Sequence, residues 1–249
     1  MFMYKVLEKV GYGPKVEFLL VKNFANLDGE IDGVMIASQD SGFSKDPSKN
    51  KKFQTFAELN IDPNEDFDVE KETRKDLIVI DILSRVFGLS DVMTNFGNFG
   101  KVIISQDEEI LKEKWKVLDF SVPALRKIRK KLHDSKDRYL YQVLYKEPIV
   151  DSFINGNGSH SYSNNEVVVK ILTDEQTIDL WSDAVKILEE GKNSKKSLES
   201  AIEDAESEII NYLEKNGNEL HIYEKDEPSK LKVLTVKRIN DLKVYCECV

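Results

Sequence analysis

The sequence contains few residues of the types that build thiol or imidazole chemistry. It has two cysteines, Cys246 and Cys248, and three scattered histidines among 249 residues. A Cys-x-Cys pair on a strand would place both thiols on one face, but without a second pair ordinary thiols are favoured over a metal site. The sequence also lacks the ~20-residue apolar run of a membrane helix and the pattern of a signal peptide. We therefore expect no transmembrane segment and a location in the cytosol, or in a host cytosol if the protein is delivered there.

An excess of basic residues is also absent, since the net charge is −9. This charge argues against nucleic acid as a partner, because phosphate backbones require a basic face. One basic cluster stands out in the sequence, at residues 126–131 on a predicted helix after Pro123. The charges of this cluster are expected to cover the solvated faces of the helix. The alternative is a surface for an acidic substrate or a phosphoinositide.

The hydrophobic pattern predicts a mixed α+β protein of one large or two modest domains. Apolar residues recur at helical spacing in several segments, namely 2–10, 77–87, 124–132, 137–145, 178–190 and 197–215. Strand-like segments are 16–21, 33–38, 220–223, 231–236 and 242–248. The polar segment 39–70 is predicted to be mainly loop, attached to the core by Phe53, Phe56 and Leu59.

The stretch from Asp81 to Phe120 points to chemistry more clearly than any other. An apolar helix-like run ends at Gly88, and the following loop carries acidic and amide side chains. Two β-rich segments come next, and the second ends at Asp119. This order suits phosphoryl transfer from a nucleotide, in which one carboxylate accepts the proton of the attacking hydroxyl. A downstream amide and a second carboxylate supply the oxygen ligands that Mg²⁺ prefers.

Three short motifs resemble those of the atypical kinases. Ser90-Asp91 followed by Gly97 to Gly100 resembles the catalytic loop of phosphoinositide-kinase-like, aminoglycoside-phosphotransferase-like and bacterial toxin-kinase-like enzymes. Val117 to Ser121 is similar to the metal-binding Asp-Phe-Gly, with Ser in place of the last Gly. Tyr4 to Val16 resembles the helix-to-strand passage that precedes the hinge. The resemblance covers roughly residues 1–125.

This resemblance implies a kinase-like α+β fold with a reduced N-lobe and a helical C-lobe. The expected segments are a reduced N-lobe and hinge at 1–60, a C-lobe core at 61–172, and a helical extension with small β segment at 173–249. Two features of the sequence depart from the kinase pattern. The usual Asp-to-Asn spacing is about five residues, whereas Asn95 and Asn98 follow Asp91 by four and seven. The glycine-rich loop and the strand-borne Lys that bind the phosphates in kinases are also missing. We therefore expect that the chain is a fragment or that its phosphate-binding elements have been lost or rebuilt, and that its nucleotide affinity is weak.

The resemblance also implies roles for individual residues. Asp91 is the catalytic acid that orients or deprotonates the hydroxyl, and Asn98 (or Asn95) with Asp119 binds Mg²⁺. The hinge residues that meet the adenine of ATP are implied to be Ile36, Ala37 and Ser38. The acceptor is a hydroxyl of a protein, a lipid or a small molecule. Two alternatives stay open: a catalytically inactive kinase-fold binding module, and a structural α+β protein whose Asp and Asn residues only cap and turn.

Overall fold

The computed structural model of the chain is a mixed α+β structure with helices and small antiparallel sheets. It describes residues 1–26, 29–38, 46, 48–59, 71–87, 89, 92, 95, 97–107, 109–120, 180–191, 195–216 and 232. For residues 22–26 and 29–33, for Arg85 and for Trp181, only the backbone is described.

The N-terminal helix α1 (Phe2–Val10) forms as the sequence predicts. Its apolar residues at helical spacing are the ones that are buried, namely Phe2, Met3, Val6, Leu7 and Val10. Gly11 ends the helix in the left-handed conformation, with φ of 89°, and its amide donates to the Glu8 carbonyl. Glycine adopts this conformation without the steric cost that a Cβ brings.

Strands β1 (Val16–Asn26) and β2 (Gly29–Ser38) form a two-stranded antiparallel sheet. Both strands are longer than the predicted ones. The inner face of this hairpin, which includes Phe18, packs on the last long helix, α4 (Leu198–Asn216), around Ile209 and Leu213. Helix α1 packs against the same helix, so α4 supports both N-terminal elements.

A second antiparallel sheet has the strand order β3 (Asn50–Thr55), β4 (Phe99–Gln106) and β5 (Glu109–Val117). The predicted β4–β5 pair is confirmed. Segment 39–70, predicted to be mainly loop, supplies β3 and a 3₁₀ helix (Phe56–Leu59) in the part that the structure describes. Phe56 is buried against Phe99 and Trp115, with ring centroids 5.1 and 6.1 Å away. Paired strand edges and an aromatic cluster therefore order a polar segment that has no strong local pattern.

Helix α2 (Lys71–Phe87) forms the centre of the core. Its residues 77–83 are all buried, as expected for a helix that is apolar on most faces. Helix α3 (Trp181–Glu190) packs against it and ends at Gly191 as predicted. The main hydrophobic cluster contains residues of α1, α2, β4, β5, α3 and α4.

Several predicted elements lie outside the described residues. These are the basic helix at 124–132, the helix at 137–145 and the C-terminal strands apart from Lys232. Lys232 is helical, not in a strand as predicted, and it pairs with Glu206 of α4 at 2.8 Å. No helix in the described part of the chain has both the length and the apolar character needed to span a membrane.

Candidate functional site

The loop after α2 is anchored by its apolar residues. The Leu89 amide donates to the Ser84 carbonyl at 2.7 Å, and this bond turns the chain back as the helix ends. Leu89 and Val92 are both fully buried. The buried helix thus fixes where the loop leaves the core. Asp91, the predicted catalytic acid, lies outside the described residues.

Asn95 and Asn98 have different environments. Asn95 is exposed, and its Oδ1 accepts the Gly97 amide at 3.1 Å while its carbonyl accepts the Asn98 amide at 2.9 Å. This is a side-chain-to-backbone turn of the kind that Asn favours. Asn98 is buried, with 7% of its surface exposed. Of the two candidate amide ligands, Asn95 serves the turn and Asn98 faces the interior.

The structure brings Asn98 and Asp119 together. Asn98 precedes β4 and Asp119 follows β5, so the antiparallel pairing returns the chain to the place where it began. The Asn98 carbonyl accepts the amides of Leu118 at 2.7 Å and Asp119 at 3.3 Å. The two residues predicted to bind a metal are therefore joined through the backbone.

The Asp119 carboxylate is exposed and lies beside two aromatic rings. Its Oδ1 accepts the Phe120 amide at 2.8 Å and is 3.5 Å from the Tyr4 hydroxyl. The rings of Tyr4 and Phe120 are 4.2 Å apart between centroids. Helix α1 thereby contributes Tyr4 to one wall of the candidate site.

The donor set at this junction suits a hard cation, since an amide and a carboxylate both offer oxygen ligands. Among the residues with described positions, no three His, Cys, Asp or Glu side chains cluster as a metal site. Two protein ligands are enough for Mg²⁺, which usually keeps several waters and binds substrate phosphates. The oxygen donors of Asn98 and Asp119 are of the kind that Mg²⁺ prefers, and their role as its ligands stays a prediction.

The predicted adenine-binding residues lie on a different element. Ile36 is half-buried, and Ala37 and Ser38 are exposed, on the strand β2 that pairs with β1. The hydrogen bonds described above for Asn98 and Asp119 go to other parts of the chain. The proposed contact of residues 36–38 with adenine stays a prediction.

A partly buried polar pair joins the turn after α1 to helix α2. The Tyr12 hydroxyl donates to the Asp76 carboxylate at 2.5 Å. Burial, then the nearby Asp76 charge, raises the pKa of Tyr12 far above its usual value, so the phenol stays protonated. The two side chains line a cavity of about 60 Å³. Small-molecule sites usually measure about 300 Å³ or more, so this cavity is too small for a nucleotide.

A group of lysines on β5 was missed in the sequence reasoning, which recognised only the basic cluster at 126–131. The Lys116 ammonium donates to the carbonyls of Gly11 at 2.6 Å and Gly13 at 2.7 Å. Burial is the main cause that lowers the pKa of Lys116 to about 8, and three neighbouring lysines act in the same direction. The signal in the sequence was the alternation of Lys112, Lys114 and Lys116, which puts all three on one face of a strand.

Comparison with protein-family models, with curated proteins and with solved structures found no match. The resemblance to atypical kinases therefore stays a prediction from the sequence.

Proposed function

We propose that this chain is an atypical kinase-like phosphotransferase that uses MgATP at the junction of Asn98 and Asp119. One observation carries the proposal: the Asn98 carbonyl accepts the amides of both Leu118 and Asp119. A buried helix, a loop, an antiparallel strand pair and an acid follow in that order. Phosphoryl transfer needs an amide and a carboxylate side by side to hold one cation, and the backbone link between Asn98 and Asp119 supports such an arrangement.

The roles of the residues follow from the chemistry of phosphoryl transfer. Asn98 and Asp119 would hold Mg²⁺, which neutralises charge on the nucleotide phosphates when bound. Asp91 accepts the proton of the attacking hydroxyl, whose source is a protein, a lipid or a small molecule. Adenine is assigned to the β2 segment 36–38. The cytosol supplies the MgATP that this function requires.

A catalytically inactive kinase-fold binding module is the second candidate. The observation that favours it is the position of the Asp119 carboxylate, whose Oδ1 already accepts the Phe120 amide at 2.8 Å. A carboxylate that is occupied in this way can serve to fix the strand end rather than to bind a cation. Binding and transfer therefore need separate measurements.

Substitution of Asp119 tests the proposal. Asp119→Asn removes the charge and keeps the size, so we expect it to abolish the rise in melting temperature that millimolar MgATP produces. A ligand at about ten times its dissociation constant raises the apparent stability by about 1.4 kcal/mol, which a thermal shift assay detects. ATP with a chelator should give no rise for either protein.

Asp107→Asn is the matched control, because Asp107 lies in the turn at the opposite end of the same strand pair and loses the same charge. Its φ of 50° is in the left-handed region, which Asn also adopts readily. Asp91→Asn should retain MgATP binding and stop the transfer of labelled phosphate. If Asp119→Asn binds MgATP as the unaltered protein does, the site is wrongly assigned. Binding without any labelled transfer would favour the inactive module.

A further inference from the structure

Lysine side chains converge on one face of the three-stranded sheet. Lys112, Lys114 and Lys116 alternate along β5 and therefore share a face. In the register, Ile104 of β4 pairs with Lys112 on one side and with Lys51 of β3 on the other. Directly paired residues lie on the same face of a sheet, so Lys51 joins the other three.

A fifth lysine reaches the same place from the segment before α4. The side chain of Lys195 lies against the end of α1, where a Cβ added to Gly11 would be 2.9 Å from the Lys195 Cγ. The charge of Lys195 contributes to the lowered pKa of both Lys114 and Lys116. We call this group the lysine face, defined by Lys51, Lys112, Lys114, Lys116 and Lys195.

Carboxylates lie near the lysine face without pairing with it: Asp76 lines a cavity with Lys114 and Lys195, and its carboxylate accepts from the Tyr12 hydroxyl. In the part of the chain that the structure describes, none of its five lysines forms an ion pair. Glu113 lies between two of them in sequence but points to the opposite face, where it pairs with Lys101 at 2.7 Å. The lysines of α1 differ, since Lys5 and Lys9 both pair with Glu208 of α4.

We propose that the lysine face binds a compact soluble ligand that carries several phosphate groups. Unpaired ammonium groups held close together repel one another, and a multivalent anion relieves that repulsion while it accepts several charge-assisted hydrogen bonds. The ends of the group are accessible, because Lys112 and Lys195 are exposed and Lys51 and Lys114 are half-buried. The lysine face shares no residue with the proposed Asn98–Asp119 site and does not depend on the proposed phosphotransfer.

The overall charge of the chain decides the kind of anion. A net charge of −9 repels a long nucleic acid or an anionic membrane, both of which extend well beyond a local basic patch. A small polyphosphate contacts only the lysines that surround it. Charge complementarity therefore favours a compact ligand over an extended one.

Calorimetric titration with inorganic tripolyphosphate tests this proposal. The buffer has low ionic strength and contains a chelator that removes divalent metal ions. Lys51→Ser and Lys52→Ser form a matched pair, because the two substitutions remove the same charge from adjacent positions of β3 that face opposite sides of the sheet. We expect Lys51→Ser and Lys112→Ser each to weaken binding about 3- to 10-fold, and Lys52→Ser to weaken it less than about 2-fold. Thermal melts of each variant confirm that the fold is retained.

Proton uptake on binding gives an independent measurement. The charged groups around Lys116 are Lys195, Lys114 and Lys51, which lower its pKa, and Glu8, which raises it. A bound anion favours the ammonium form, so the protein should take up protons near pH 8 when it binds tripolyphosphate. The uptake appears as a difference between titrations in two buffers of unlike ionisation enthalpy.

Three results would overturn the proposal: no binding at about 10 mM tripolyphosphate, equal weakening by Lys51→Ser and Lys52→Ser, or no proton uptake. Asp119→Asn separates this site from the proposed MgATP site. Tripolyphosphate binding that survives Asp119→Asn and is weakened by Lys112→Ser supports a separate site. Loss of binding in Asp119→Asn would mean that the phosphates bind at the Asn98–Asp119 junction instead.

Discussion

Lys116 is expected to make the stability of the fold increase as the solution becomes more alkaline. Its ammonium is held against the carbonyls of Gly11 and Gly13, at 2.6 and 2.7 Å. Burial, followed by the charges of neighbouring lysines, lowers its pKa from 10.5 to about 8. The folded protein therefore keeps a charge there at neutral pH at an energetic cost.

The sign and size of the effect follow from proton linkage. Between about pH 8 and the unfolded value of 10.5, the unfolded chain binds more protons at Lys116 than the folded protein does. The free energy of unfolding must rise with pH wherever this holds. Each pKa unit is worth about 1.4 kcal/mol, so the whole effect is about 3 kcal/mol. About 2 kcal/mol of it should develop between about pH 7 and about pH 9.5.

Urea denaturation at constant ionic strength, from about pH 7 to about pH 9.5, measures this rise. Lys116→Met is the control, because methionine keeps an unbranched apolar stem and has no group that titrates. The variant also loses the hydrogen bonds to the two glycine carbonyls, so its stability at neutral pH is not the quantity to compare. The quantity to compare is the rise in the free energy of unfolding between about pH 7 and about pH 9.5. This rise should be smaller in the variant by about 2 kcal/mol.

The upper limit of the range is set by Tyr12. The pKa of Tyr12 is raised in the folded protein, so its contribution has the opposite sign and stability is lost as the pH rises above the unfolded value of 10.0. Equal slopes in the parent and in Lys116→Met below about pH 9.5 would refute the account of Lys116. A fall in stability over that range in the parent alone would refute it more directly.

Two further substitutions test the packing around the candidate site. Gly100→Ala should lower the free energy of unfolding by about 3 kcal/mol in urea denaturation, because its new Cβ would lie 2.1 Å from the Gln54 carbonyl oxygen of the paired strand. Gly97→Ala is its control, since the nearest atom there is 3.3 Å away on a side chain, and an equal loss would contradict the reasoning. Tyr12→Phe should cost about 1 to 2 kcal/mol by removing the 2.5 Å hydrogen bond to Asp76. An unchanged free energy of unfolding would contradict this, and would mean that solvent satisfies the Asp76 carboxylate without the hydrogen bond.

Much of the secondary structure around the site was predictable because it depends on local patterns. The apolar spacing of α1 and its glycine stop, the continuous apolar run of α2, and the pairing of β4 with β5 all follow from residues that are neighbours in the sequence. Strand β3 was missed because Asn50 to Thr55 is polar and gains its order from Phe99 to Gln106 of the neighbouring strand. Its register, and Gly100 as the point of close approach, depend on that distant partner.

The arrangement of the functional residues likewise depends partly on local sequence pattern and partly on tertiary packing. The sequence by itself determined that Asn98 and Asp119 meet, because the ends of an antiparallel strand pair must return to one place. It also determined that Lys112, Lys114 and Lys116 share a face, because side chains alternate along a strand. Only the tertiary structure decided that Lys51 and Lys195 join them and that the α1 turn covers Lys116. Those contacts join residues that are far apart in the chain, and the packing of the core, not any local preference, sets their distances.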